Sequence, residues 1–552
     1  MAIKLTGGEI YDPTNSIDGE VRDVYIVDGN IVTQISDEEK ITETHDVTNC
    51  VVMAGAIDLH THIGGGKVNI ARTMMFEDAH IHPHDSSDIC RGGGGVIVPS
   101  TFSTGYRYAE MGYTACFEPA VLPVNARQAH MEMADIPMVD KGGYALLGND
   151  DFLLRMIRDG ATQSAVNDYV AWMLHCTQCI GIKVVNAGGI HAFKFNKRRL
   201  DVDEIGPCGT TARNILKMLS RAVYDLGIAH PLHVHASNLG VPGNYQSTIE
   251  TMAAAEGLPI HITHIQFHSY GTEGDNKFSS AACEIAEAIN NQPNVTADVG
   301  QIMFGQTVTT SGDTMMQYHG HSHAHPKKWT LMDIECEAGC GVVPFKYRDK
   351  SFVNALQWAI GLEIFLQVND PWRVFLTTDH PNGAPFTSYP HLIKLLMDRS
   401  FRNDMLSRIH EDAQKMSNLA SMDREYSLYE IAIMTRSAPA KILGLTSQGH
   451  LGDGATANIA VYRKHPDAEK MFSTPTLVFK DGQLIVKEGK VISTVKGVTH
   501  VVKPEFDSAI EKLLKKYFDD FQTISLANFK ISDDEMVECI GNEIEVHPCH
   551  SN

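Results

Sequence analysis

The chain has 552 residues, 43% hydrophobic and 20% charged, which excludes a disordered protein and calls for a large catalytic-sized domain plus a smaller one. Its 67 acidic against 46 basic residues leave a net charge of −21, excluding general nucleic-acid binding through a basic face. No apolar run reaches the length of a bilayer span, and Met1-Ala2-Ile3-Lys4 lacks a signal peptide's apolar core, so no membrane is expected and the cytoplasm is the expected location.

Residues 3–35 read as short strands with glycine turns: Leu5 to Ile10, then Val24 to Val27 turning at Asp28-Gly29-Asn30 into Ile31-Val32. A similar hairpin pattern returns from Thr476 to Ile492. Two β-rich ends predict one small β-sandwich assembled from both, residues 1–52 and 446–503. Between them, over 53–445, apolar β-branched runs alternate with helical segments. Strands are expected at 115–117, 181–185, 232–235, 260–264, 295–299 and 374–379, and helices at 211–225, 281–290 and 352–367. This alternation predicts an α/β fold, a TIM-like (β/α)8 barrel. The remainder, 504–552, reads as one helix, 508–518, and an acidic tail.

The run Ile57-Asp58-Leu59-His60-Thr61-His62 ends an apolar stretch that begins near Val51. On a strand, residues i and i+2 share a face, so His60 and His62 can offer both imidazoles to one metal ion. Lys183, His235, His264 and Asp379 also fall at or near the carboxyl ends of expected strands, where a barrel gathers its catalytic groups. Zinc accepts imidazole nitrogen and carboxylate oxygen. Four histidines and one aspartate are few for two ions, and an ammonium beside cations is disfavoured, so Lys183 must be neutral or modified.

The order His-x-His, Lys, His, His, Asp with a split β-domain resembles the amidohydrolase superfamily, whose binuclear members carboxylate the strand-four lysine to bridge both ions. Four longer segments carry a closer resemblance: Gly66 to Arg72, Pro99 to Tyr108, His264 to Gly271 and Gly341 to Phe345. They are similar to the family of formylmethanofuran dehydrogenase A-subunits and the alpha subunits of bacterial formyltransferase/hydrolase complexes. The sequence as a whole sides with the bacterial form. The resemblance implies two Zn2+ ions bridged by N6-carboxylated Lys183, with His60, His62 and Asp379 on the first and His235 and His264 on the second. Asp379 is the implied catalytic acid/base. His235 is preferred to His233, which faces the same side, and His268 is placed next to the ligands, on the substrate side. The implied reaction is hydrolysis, or reversible formation, of the formamide of formylmethanofuran or a related formylated furfurylamine carrier. Formate is released, and a formyltransferase and other subunits are the partners. Two alternatives remain, a hydantoinase-like cyclic amidohydrolase and a non-catalytic scaffold subunit.

Carriers of this family bear anionic tails, and the basic run Lys194-Phe195-Asn196-Lys197-Arg198-Arg199 begins eleven residues after Lys183, so Lys197, Arg198 and Arg199 are candidate tail-binding residues. The groups His80, His82, His84 and His319, His321, His323, His325 sit in polar, proline-flanked stretches and read as exposed or interface histidines. Gly92 to Gly95 lacks the Lys-Ser/Thr of a phosphate loop and reads as a tight chain path. Eleven irregularly spaced cysteines, Cys176 and Cys179 among them, predict free structural thiols. Without an iron–sulfur pattern or a nicotinamide fingerprint, any redox step belongs to another subunit.

Overall fold

A computed structural model describes residues 2–35, 40–188, 201–206, 208–309, 342–522 and 524–549. Eight parallel strands follow one another in chain order around a curled sheet: Ala56–Asp58, Tyr113–Val121, Asp140–Leu146, Gly181–Val185, Leu232–His235, Ile260–Ile262, Val295–Asp298 and Val374–Phe375. Between the eighth and the first, Thr61 bridges to His380, and the His62 N–H donates to the His380 carbonyl at 2.8 Å. The fold is a TIM-like α/β barrel.

Register decides what fills the barrel. Lys183 stands opposite His233, His233 opposite His261, and His261 opposite Thr296. Side chains alternate along a strand, so this row points inward together with His235 and Asp298 two residues on. The intervening row, Val184, Val234, Ile262 and Ala297, packs outward beneath the helices and is essentially unexposed. Phe352–Gln367, expected from its apolar run, is buried on every side, which is why it lacks an amphipathic face.

The second sheet has nine strands and draws on both ends of the chain: Cys50–Ala54 pairs antiparallel with Ile459–Arg463. Parity divides its contacts. Cys50, Val52, Ala54, Ile459 and Val461 enter the small domain's own core, while Val51, Met53, Ala460 and Tyr462 join the barrel's. Thr499–Val502, which the sequence groups with this domain, hydrogen-bonds instead beside the third barrel strand, Thr499 opposite Lys141. Its four residues are all buried, as in a strand covered on both faces. The C-terminal segment contains the helix Ile510–Phe521 and then a strand, Ile544–His547, parallel to Thr499–Val502.

The glycine run follows a tight path. Gly95 takes φ +93°, and a Cβ on Gly94 would lie 2.4 Å from the Ala79 carbonyl oxygen. That approach lets the Asp78 carboxylate accept from the N–H groups of Val96, Ile97 and Val98. Cys176 and Cys179 are buried free thiols, pushed up to about 12 by burial. His80 and His82 are exposed, and His84 stacks on Tyr106 at 4.7 Å. Residues 319–325 lie outside the described residues. No described helix is long and apolar enough to cross a membrane.

The small sheet and the barrel are joined by a buried ion pair, Lys480 Nζ to Asp140 Oδ1 at 3.0 Å, each side chain 1% exposed. Burial alone would raise the Asp140 pKa, but Lys480, His500 and the Val498 N–H hold it well below the usual carboxylate range. A depressed carboxylate pKa stabilises the fold above its unfolded value, about pH 4, and that contribution is lost as pH falls toward the folded value. Lys480→Met strands Asp140 as an unpaired buried charge, so we expect a loss of roughly 3–5 kcal/mol, read as a lower denaturation midpoint at neutral pH. The deficit should shrink below pH 4. A midpoint equal to that of wild type would remove the pair from the interface's stabilising contacts.

Candidate metal centre

Asp58 anchors the end of the first strand. Its carboxylate accepts from the Tyr108 hydroxyl at 2.8 Å, from Tyr389 and from the His60 N–H at 3.1 Å. From that fixed point His60 and His62 both turn toward Asp379: His60 Nε2 lies 2.9 Å and His62 Nε2 3.4 Å from Asp379 Oδ1. Asn382 donates to the same oxygen at 2.9 Å. Burial raises the Asp379 pKa, but His264 and His60 outweigh it and hold the group well below the ordinary carboxylate range. Asp379 is thus an anion ringed by imidazoles.

The back of each imidazole is held as well. His62 Nδ1–H donates to Glu118 Oε1 at 2.9 Å, and Glu118 Oε2 accepts from the N–H groups of Ile63 at 2.7 Å and Gly64 at 3.0 Å. With Nδ1 protonated, the His62 Nε2 lone pair faces Asp379, the orientation a metal ligand requires. His60 Nδ1 meets His233 Nε2 at 2.8 Å, Asp298 Oδ2 at 3.3 Å and the Thr263 hydroxyl. Asp298 in turn accepts from His261 Nε2 at 3.1 Å, the Thr377 hydroxyl at 2.9 Å and the His264 N–H at 2.8 Å.

His233 therefore sits behind His60 and is tied to His230 at 3.0 Å. His235, two residues on, packs against His264 and His268 at ring separations of 4.6 and 5.1 Å. Both ring nitrogens of His235 and Nδ1 of His264 are buried without a hydrogen-bond partner. Such orphaned nitrogens are costly unless something binds them, and an imidazole lone pair binds zinc-class ions. Burial, followed by the neighbouring rings, lowers the His235 pKa well below its ordinary value and keeps it neutral, the ligating form. Ligand atoms of His60, His264 and Asp379 lie within 4.8 Å of one another, as do those of His235, His264 and His268. The donor set fits metal ions at both places.

Lys183 is buried beneath this cluster, 2% exposed. Its pKa falls to about 8, chiefly through burial, with Asp379, Asp298 and Glu118 opposing. Two ligand positions leave the strand path through left-handed backbone, His264 at φ 35° and Asp379 at φ 50°. Gly300 makes room for the first: a Cβ there would lie 2.3 Å from that of His264.

The structure thus gathers His60, His62, Lys183, His235, His264, His268 and Asp379 at one end of the barrel. Lys197, Arg198 and Arg199 lie outside the described residues. Glu118, Asp298, His261 and Asp58 are not singled out by the sequence motifs. Each does carry a signal, a polar side chain at inward parity within or beside an apolar strand run, but sequence alone does not say which of these runs are neighbours.

The amidohydrolase family model matches residues 43–491. The chain is 44% identical over 550 residues to the A-subunit of the formyltransferase/hydrolase complex Fhc of Methylorubrum extorquens, covering 98% of each. It is 40% identical to protein FwdA of Methanocaldococcus jannaschii, covering 97% of each. A chain of the crystal structure of the M. extorquens complex FhcABCD, solved with methylofuran, superposes with a TM-score of 0.92 at 43% identity over the full length of both.

Because Glu118 orients His62 without occupying its Nε2, Glu118→Gln should leave the barrel folded while weakening zinc retention by about 10–100-fold in competition with a chelator. Unchanged retention would reduce Glu118 to a brace for the loop at Ile63 and Gly64.

Proposed function

The chain belongs to the amidohydrolase family, and from that premise we propose that it is a binuclear zinc hydrolase of a formylated furfurylamine carrier, working with a formyltransferase and further subunits. The observation that carries this reading is the pairing of two ligand groups, one around Asp379 and one around His235 and His264, above a buried lysine. Full-length likeness to the A-subunit of a formyltransferase/hydrolase complex supports the choice of substrate class and partners.

In this proposal His60, His62 and Asp379 would hold the first ion and His235 and His264 the second, and Lys183, carboxylated on its amine, would supply the oxygen ligands they share. Ions bound by these residues would supply Lewis-acid chemistry, an acidified water and charge compensation at the formyl oxygen. Lys183 suits its part because the neutral amine is the form that takes up carbon dioxide, and a pKa near 8 makes that form accessible at ordinary pH. Asp379 moves the proton. Its Oδ1 accepts from Asn382 and faces both His60 and His62, the ligands assigned to the first ion, so we assign to Oδ2 the proton taken from the attacking water and delivered to the departing amine nitrogen. His268, against His264 and His235, borders the place where the formyl group would lie.

Formate release from N-formylfurfurylamine and from a tailed formyl carrier tests the reading. Turnover of cyclic ureides with none of either formamide would replace it with a hydantoinase assignment. Asp379→Asn should keep much of its zinc yet lose at least about a hundredfold in turnover, since an amide can still ligate but cannot accept the proton. Turnover within a few-fold of wild type would move proton transfer elsewhere. Lys183→Ala should lose most activity and regain part of it with small carboxylic acids, which can replace the carbamate. Full activity without additive would rule out the bridge.

A further inference from the structure

A second group of potential ligands lies away from the barrel mouth. Asp140 opens the third barrel strand, whereas the centre above lies at the carboxyl ends of the strands. Beside that opening run the two parallel strands Thr499–Val502 and Ile544–His547, with His500 opposite Glu545 and Val502 opposite His547. Glu545 and His547 are two apart and so share a face, and register puts His500 on the same face. Ligand atoms of the three lie within 4.8 Å of one another.

His500 Nδ1 is 2.8 Å from His547 Nε2, a hydrogen-bonding distance, and 3.6 Å from Glu545 Oε2, while His547 Nε2 is 3.9 Å from the other carboxylate oxygen, Oε1, both too long for hydrogen bonds. The carboxylate thus faces both imidazole nitrogens without being bonded to either, at separations near the roughly 3.4 Å between ligand atoms on a tetrahedral zinc ion. Behind His500, the other ring nitrogen is 3.8 Å from Asp140 Oδ2 and 3.4 Å from the side-chain amide nitrogen of Gln448, which donates to that same carboxylate oxygen at 2.8 Å, so the ring is backed by a polar group that Lys480 keeps ionised. Burial, then His500, pushes His547 down to about 4, leaving it neutral. His547 also lines a cavity of about 330 Å³ with Val502, Pro548 and Gly444.

We propose that His500 Nδ1, His547 Nε2 and a Glu545 carboxylate oxygen bind one zinc-class divalent ion, a site separate from the barrel-mouth centre that clamps the C-terminal strand to the barrel. Binding takes His547 in its Nδ1–H tautomer, so the bond between the two rings is exchanged for two metal bonds with no net proton release. The strand gains most from such a clamp because it is short, partly exposed and, among the described residues, paired on one side only.

The test uses the full chain. Wild type, Glu545→Gln and His547→Gln are equilibrated with zinc, freed of unbound metal by gel filtration and assayed for zinc per chain by mass spectrometry. Each variant should hold one ion fewer than wild type, and zinc should raise the thermal midpoint of wild type more than that of either variant. The same one-ion difference should persist when all three carry Lys183→Ala, so the outcome does not depend on what the barrel mouth holds. Glu545 is partly exposed, so its substitution should fold normally. Equal zinc content in wild type and both variants would overturn the site, as would a one-ion difference that disappears in the Lys183→Ala background.

Discussion

Between its eighth and first strands the barrel is held by the bridge of Thr61 to His380 and by the His62 N–H on the His380 carbonyl, residues interleaved with the candidate ligands His60, His62 and Asp379. Closing the sheet and assembling the first ligand group are therefore one event: strand one cannot dock on strand eight without bringing two imidazoles onto the Asp379 carboxylate. Register then spreads polarity round the barrel, through Lys183, His233 and His261, into a space that many barrels fill with aliphatic side chains.

A polar interior of this kind is tenable only if its charges are matched. Asp298 accepts from Thr377, His261 and the His264 backbone, Glu118 from His62 and two N–H groups, and Asp58 from two tyrosines and the His60 N–H. These carboxylates are satisfied acceptors, and each fixes a ligand-bearing segment. Among the buried atoms without hydrogen-bond partners are both nitrogens of His235 and Nδ1 of His264, and one nitrogen of each ring could engage a bound ion.

Much of this was legible in the chain. Period-two placement of His60 and His62, the strand–helix alternation and the hairpin signals at both ends pointed to the barrel and its split companion domain, because these features depend on local geometry. A preference for His235 over His233 could not come from local geometry, since both face inward; in the structure His233 is turned against His60 and Asp298, with ligand atoms also within 4.8 Å of one another, while His235 meets His264 and His268. Glu118 and Asp298 stayed hidden because their roles exist only across strands that are distant in sequence. Thr499–Val502 read as part of the β-domain because it follows that domain's last hairpin, yet its fully buried pattern suits the barrel sheet.

The proposed dependence of catalysis on two ions is most directly examined by titrating metal-stripped protein with zinc while following formate release from N-formylfurfurylamine. The account predicts that activity rises to a break at two ions per chain at the barrel mouth, after allowing for any ion bound at His500, Glu545 and His547. Formate release at full rate from protein without metal, or none at any zinc loading, would contradict it.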